Sequence, residues 1–203
     1  MLLTHHSLLT VLASSAFDPL SINWDYYNQN TIAFNGTNYI NSGIYNAYAI
    51  KDFWHIWFKS TITDGQPAAI NIFWGGRDSS FATAVQSGIL TTGVIRVSDG
   101  NILRTSVSPF LFANGAIAAT VFHIYRDNVN IKVDIDGVNW LTSSDLTKPT
   151  TQSTRTIYYG ANNANGTINV PWIGTSSGIY VIGLNADLTA QQISDMNTYM
   201  TNL

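Results

Sequence analysis

The chain of 203 residues contains no cysteine and no glutamate. Without Cys there is no disulfide framework, no thiol nucleophile and no thiolate metal ligand, and the redox compartment is left open. All twelve acidic residues are Asp, at 18, 25, 52, 64, 78, 99, 127, 134, 136, 145, 187 and 195. Cations are scarce as well: nine Lys plus Arg leave a formal net charge of -3, and only 10% of residues are charged. With no basic run and no basic amphipathic helix, nucleic acids and anionic membranes are excluded as expected partners. No apolar run approaches the ~20 residues a membrane-spanning helix needs. A chain of this length buries roughly 70% of its unfolded surface, so it needs no staple of metal or disulfide.

What is abundant is uncharged polarity, carried by Asn, Thr, Ser and Gln along the whole chain. Such residues suit exposed strands and turns, and they hydrogen-bond sugars without imposing charge. Residues 1–30 stand apart as an apolar leader. There Leu2, Leu3, Leu8, Leu9, Val11 and Leu12 line one side of a short helix predicted to end before Asp18-Pro19. Ala13-Ser14-Ser15-Ala16 has the small residues of a cleavage site, but no Lys or Arg precedes it and His5-His6 interrupt the run. The leader is therefore expected to stay and to pack on its own domain, on other copies or on a partner, the alternative being a floppy terminal arm.

From Thr31 the pattern turns to strands. Thr31–Phe34 leads into the turn signal Asn35-Gly36, and Asp52–Lys59 is apolar and aromatic on both faces, as in mid-sandwich. Further strands are predicted at Ile70–Trp74, Ile89–Leu90, Val94–Val97, Ile102–Thr105, Thr156–Gly160 and Ile179–Leu184. Ala118–Arg126 and Asn130–Asp136 read as a hairpin ending at Asp136-Gly137. In its second strand Ile131, Val133 and Ile135 alternate with Lys132, Asp134 and Asp136. Turn signals about every ten residues fit a sandwich of many short strands. At the end of the chain, Thr189 and Gln192 make a capping box, and Ile193, Met196, Tyr199 and Met200 form one apolar stripe. A helix over about 189–201 is predicted to dock on the sandwich, which occupies residues 31–203.

Three ordered segments resemble the laminin-G / concanavalin-A-like superfamily. Ile32–Ile40 is similar to its opening strand, with the apolar-Gly-x-x-Tyr-apolar pattern. Val121–Asn128 followed by Val133–Gly137 resembles its His-apolar-Tyr-x-Asp strand and the apolar-x-Asp-Gly end. Ile157–Gly160, Trp172–Gly174, Ile179–Gly183 and Leu188–Met196 resemble the closing strands and terminal helix. The resemblance implies an all-β jelly-roll sandwich of two antiparallel sheets with a short C-terminal helix. It implies binding to glycans or protein surfaces, hydrolysis in some members, and similarity to domains in bacterial surface proteins and phage virions. Fold alone does not choose among these.

The chemistry narrows the choice. Glycoside hydrolysis needs two carboxyl groups, and the hydrolases of this superfamily resemble one another in using a Glu pair, which is missing here. Asp134 and Asp136 share a strand face, but Asp136 serves the Asp-Gly turn. No Gly-x-Ser-x-Gly elbow is present, and His55 and His123 lie inside strand patterns where a packed, hydrogen-bonded imidazole is expected. No enzymatic activity and no cofactor are therefore expected. Calcium on Asp78, Asp99 or Asp127 is the one metal whose hard-oxygen chemistry suits the resemblance, against which stands a plain turn role.

Two loops carry the residue types of a sugar site. One is Trp74-Gly75-Gly76-Arg77-Asp78; the other runs from Tyr158 to Trp172 and includes Tyr159, Asn162, Asn163 and Asn165. Rings against a pyranose face, with amides and a carboxylate fixing hydroxyls, would make these the ligand-binding residues; the alternative is that Trp74 and Trp172 are core and the Asn residues shape turns. Loops cluster at sandwich ends, so the two are expected to meet. The functional expectation is a virion structural or host-attachment protein on the virion surface. It would bind host glycan and be held by residues 1–30 to other virion proteins or its own copies. The alternative is a secreted or cell-surface bacterial carbohydrate-binding domain.

Overall fold

A computed structural model describes residues 17–45, 51–62, 70–78, 85–90, 93–99, 102–107, 117–148, 154–169 and 173–203. Fourteen strands and one α-helix are found among them. The first sheet has the order β1 (Tyr26–Asn35), β14 (Ile173–Leu184), β3 (Phe53–Ile62), β8 (Ile117–Arg126), β9 (Ile131–Ile135), β10 (Val138–Ser143). The second runs β13 (Thr167–Asn169), β12 (Asn162–Ala164), β4 (Ile70–Arg77), β5 (Val85–Leu90), β6 (Ile95–Asp99), β7 (Ile102–Thr105). β11 (Thr156–Tyr159) joins it beside β4 and also pairs β2 (Ile40–Tyr45). Every pairing is antiparallel except β12 with β4, where Asn163 faces Gly76 and Ala164 faces Arg77.

Strand alternation makes the core. Trp54, Ile56 and Phe58 of β3 meet Phe122 and Ile124 of β8, Ile131, Val133 and Ile135 of β9, and Ile179 and Val181 of β14. Phe73, Trp74, Ile89, Ile95, Val97, Ile157 and Tyr159 close on them from the second sheet. Phe58 stacks on Phe122 at 4.8 Å and Trp54 meets Trp74 edge-on at 6.4 Å. Aromatic pairs of this kind add roughly 0.5–1.5 kcal/mol beyond the area they bury.

The outer face of the first sheet is apolar too, which explains why β3 reads as hydrophobic on both sides. Trp57, Val121, Tyr180 and Ile182 point outward and are covered by Met196 and Met200 of helix α1 (Ala190–Asn202), with Leu188 and Ile22. Thr189 caps α1, its side chain accepting from the Gln192 N–H while Gln192 reaches back to the Thr189 N–H. The helix has no basic residue in its last turn; Lys59 of β3 supplies that cation, donating to the Thr201 carbonyl at 2.8 Å. Trp24 meets Trp57 and Tyr180 edge-on, and Phe17 meets Tyr199 at 6.5 Å. Thus residues 17–24 pack on their own sandwich; the leader residues Leu2 to Leu12 lie outside the described residues.

The expected strands are present, with three additions. β1 begins at Tyr26, not Thr31, pairing Tyr26 with Val181. Asp136-Gly137 closes the far end of the β8–β9 hairpin, the Asp136 N–H donating to the Val121 carbonyl at 2.9 Å, and also makes a tight turn into β10, both residues having positive φ (49° and 76°). Asn165-Gly166 (φ 54° and 87°) makes the same kind of turn between β12 and β13.

Candidate functional site

The two loops singled out in the sequence do meet, through the parallel pairing of β12 with β4. The Asn165 N–H donates to the Arg77 carbonyl at 2.9 Å. Asp78 accepts from the Thr154 hydroxyl at 2.7 Å and its N–H at 3.2 Å, and Arg155 Nε lies 3.9 Å from Asp78 Oδ1. Arg155 also donates to Asn165 Oδ1 at 2.9 Å. Asp78, Arg155 and Asn165 thus form one half-exposed patch of a guanidinium, a carboxylate and an amide, laid against the backbone of Arg77.

Beside it stands an aromatic pair that sequence reasoning did not single out. Tyr39 stacks on Tyr158 at 4.2 Å, and Tyr39 is 36% exposed. Burial, then the hydrogen bond with Tyr39, raises the Tyr158 hydroxyl above its ordinary value, while the nearby Arg155 acts in the other direction. Tyr158 faces Asn41 on one side and Gly75 on the other, and Gly75 faces Gln86. The row therefore places a phenol pair and amides next to the charged patch.

Other predicted residues sit elsewhere. Trp74 is fully buried and Tyr159 is 2% exposed, both in the core, so neither offers a ring face to a ligand. The reason is local: the pairing of β4 with β5 slips between Ile72 and Trp74, and Phe73 and Trp74 both turn inward. Asn163 shapes the turn, donating to the Thr156 carbonyl at 2.8 Å and accepting from the Gly166 N–H at 2.9 Å. Asn162 is 3% exposed and lies against Gly75, where an added Cβ would come within 2.8 Å of its Oδ1. Trp172 lies outside the described residues.

The calcium expectation meets carboxylates that already have partners. Asp127 Oδ1 accepts the Val129 and Asn130 N–H groups, and Oδ2 lies 3.4 Å from Lys132 Nζ. Asp78 is engaged by Thr154 as above. Among the described residues no group of three acidic or histidine side chains is placed to hold a metal ion. The side chain of Asp99 lies outside the described residues.

A second constellation joins distant parts of the chain. His55 Nε2 lies 2.7 Å from Asp187 Oδ1, and His55 Nδ1 lies 3.0 Å from His123 Nε2. With Asp187 ionised, His55 donates through Nε2, so its Nδ1 accepts and His123 donates through Nε2. Both imidazoles are buried. Burial, then His55, holds His123 well below the ordinary imidazole value. Carboxylate–imidazole pairing of this type serves nucleophilic enzymes, where the second imidazole nitrogen faces a hydroxyl. Past His123 the neighbours are rings, Trp57 at 3.9 Å and Tyr125 at 4.2 Å. The chain of hydrogen bonds acts as a clasp that fastens the β14–α1 loop to the sheet.

Asp134 and Asp136 are likewise occupied. Asp134 accepts from Asn139 at 2.8 Å, and its charge together with burial raises the Tyr125 phenol well above its ordinary value. Asp136 accepts the Val121 N–H at 2.8 Å.

No family model matches the chain, and no curated protein matches it. Solved structures do. The NanB sialidase of Streptococcus pneumoniae superposes with a TM-score of 0.63 at 14% identity, over 85% of this chain and 28% of the sialidase. The chain thus spans little more than a quarter of that enzyme. The CBM40 domain of the Ruminococcus gnavus IT-sialidase, bound to α2,6-sialyllactose, gives 0.61 at 12% identity, over 83% of this chain and 97% of the domain. The fold is the concanavalin-A-like jelly roll. Domain 4 of AbnA, a GH43 arabinanase from Geobacillus stearothermophilus in complex with arabinotriose, shares this jelly roll. Its TM-score is 0.58 at 14% identity, over 84% and 80% of the two chains. At these identities the likeness is one of fold.

Proposed function

We propose that this chain is a non-catalytic, lectin-like module that binds saccharide at the edge of the second sheet. The observation that carries the reading is the convergence of Asp78, Arg155 and Asn165 at the Arg77 backbone, beside the stacked Tyr39–Tyr158 pair. A saccharide needs donors and acceptors spaced for neighbouring hydroxyls and an aromatic edge for its C–H face, and this patch supplies both. Two of the jelly rolls it resembles over most of their length hold oligosaccharides. The carboxylates that a hydrolase would use, Asp134 and Asp136, are committed to Asn139 and to the Val121 backbone.

The setting of the module follows from what carries it. A virion or host-attachment role and a bacterial extracellular role share this glycan-binding step and differ in the source of the chain. Among the described residues no helix is long and apolar enough to cross a membrane. A glycan array on the full chain, followed by titration calorimetry of each hit, tests the reading. Arg155→Ala and Tyr39→Ala are each expected to weaken binding at least about tenfold, the effect of losing one charge-assisted hydrogen bond or ring contact. Unchanged far-UV circular dichroism in both variants is expected. Retention of no glycan, or equal affinity in both variants, would overturn the site. Release of reducing sugar by the wild type that Asp134→Asn abolishes would overturn the non-catalytic role.

A further inference from the structure

The tripeptide Asn-Gly-Thr occurs twice in the chain, at Asn35 and at Asn165, and a further Asn-Gly stands at Asn114. Asn114 lies outside the described residues. Asn35 and Asn165 are both exposed, at turns, and differ in what holds them. We infer that Asn35 is a self-modifying site, at which the Gly36 nitrogen closes on the Asn35 side chain and releases ammonia.

Ring closure needs a carbonyl ready to take up negative charge, a peptide nitrogen that is not tied down, and no bulk on the following residue. The Asn35 amide oxygen accepts the Thr37 hydroxyl at 2.7 Å and the N–H groups of Thr37 and Asn38 at 3.0 Å each. All three donors lie ahead of it in the chain, so the side chain folds forward over the Asn35–Gly36 peptide. The same donors stabilise the charge that develops on this oxygen when Cγ is attacked. They also settle which end of the amide is which, turning Nδ2, the leaving nitrogen, away from them. The Gly36 N–H makes no hydrogen bond among the described residues, and Gly36, at φ 83°, carries no Cβ.

The second Asn-Gly-Thr is held in the opposite way. The Gly166 N–H is spent on Asn163 Oδ1 at 2.9 Å, and Asn163 is itself fixed by donating to the Thr156 carbonyl. Asn165 Oδ1 accepts from Arg155 at 2.9 Å, one donor where Asn35 has three. Identical tripeptides are thus separated by the fold.

The reaction balances with water as its one co-reactant. The Gly36 nitrogen gives up its proton and bonds to Cγ, the Cγ–Nδ2 bond breaks, and Nδ2 leaves with that proton as ammonia. Water then opens the cyclic imide at either carbonyl, giving aspartate or isoaspartate at position 35. Aspartate keeps the acceptor for all three donors. Isoaspartate runs the main chain through Cβ and lengthens the turn in which the Asn35 N–H and the Ala33 carbonyl both bond the Asn38 amide, at 2.7 Å each. Tyr39, whose ring stacks on Tyr158, follows Asn38 directly, so the isoaspartate form displaces that ring pair. The conversion does not rest on the proposed function; a consequent loss of saccharide does.

Chymotryptic peptide mapping by mass spectrometry, on full-length protein incubated at mildly alkaline pH, reads the conversion at each Asn. Asn35 is expected to convert at least about tenfold faster than Asn165, for its additional donors and untied nitrogen. In urea, where both tripeptides lose their partners, the two rates are expected to become equal. Thr37→Val, at an exposed position, removes one donor and is expected to slow Asn35 at least about threefold while leaving Asn165 unchanged. The inference is overturned if Asn165 converts as fast as Asn35 in the folded protein, if urea leaves their ratio unchanged, or if Thr37→Val leaves the Asn35 rate as it was. The isoaspartate form, isolated by ion exchange, is expected to shift the amide NMR signals of Tyr39 and Tyr158. Unmoved signals would overturn the link to the ring pair.

Discussion

His123 is flanked by rings and is neutral in the folded protein because burial, with His55 beside it, penalises the extra proton. The groups that face it are His55 from β3, Tyr125 from its own strand and Asp134, its register partner on β9, with Asp187 beyond His55. An imidazole depressed on folding binds its proton more readily in the unfolded chain. Stability is then complete above the unfolded value near 6.5 and falls as pH drops from there toward the folded value. Each unit of depression corresponds to about 1.4 kcal/mol. Thermal melts between pH 7.5 and 5 are expected to show this decline, and His123→Gln is expected to flatten it. An equal slope in both proteins would remove His123 as its source. Gly160 is the second residue whose identity is forced. Its φ is +81°, and an added Cβ would lie 2.2 Å from Cδ1 of the buried Phe34. Gly160→Ala is expected to cost about 2 kcal/mol or more in urea unfolding, from backbone strain and overpacking together.

Among the elements, α1 was the most legible, because capping box and apolar stripe are both local signals. Its contribution divides in the same way. Thr189→Ala is expected to cost about 1 kcal/mol through the cap, and Met196→Ala about 2–5 kcal/mol through the cavity left over Trp57. Denaturant titration distinguishes them, and equal costs would contradict the ranking. β10 escaped the sequence because Leu141 is its one buried side chain, so period-two alternation never develops. β12 and β13 are three residues each, and only Asn165-Gly166 announced them. The meeting of the two loops was legible because both carry turn residues at a sandwich end. That Trp74 is core was one of two readings left open, and the sequence could not choose between them, since a register slip at Ile72 is set by the partner strand and leaves no local mark. Asp187 and His55 lie 132 residues apart, and no spacing rule relates them.

For the molecule as a whole, β14 decides when folding can finish. It lies between β1 and β3, pairing Val181 with both Tyr26 and Ile56. The first sheet therefore has no complete centre until the last thirty or so residues are present, and such non-local pairing is slow to form, on the order of milliseconds to seconds. A chain ending at residue 172 is expected to show little β-sheet ellipticity and rapid proteolysis. A cooperative melt from that fragment would contradict the argument.

The contact of Phe17 with Tyr199 gives the jelly roll a back and a front. The first described residues and the terminal helix share the outer side of the first sheet, while the Arg155–Asn165 patch belongs to the second. A tag or linker joined after Leu203 leaves from the back. Immobilised through a C-terminal tag, the module turns its front away from the support, so surface-tethered protein should retain saccharide as well as free protein does.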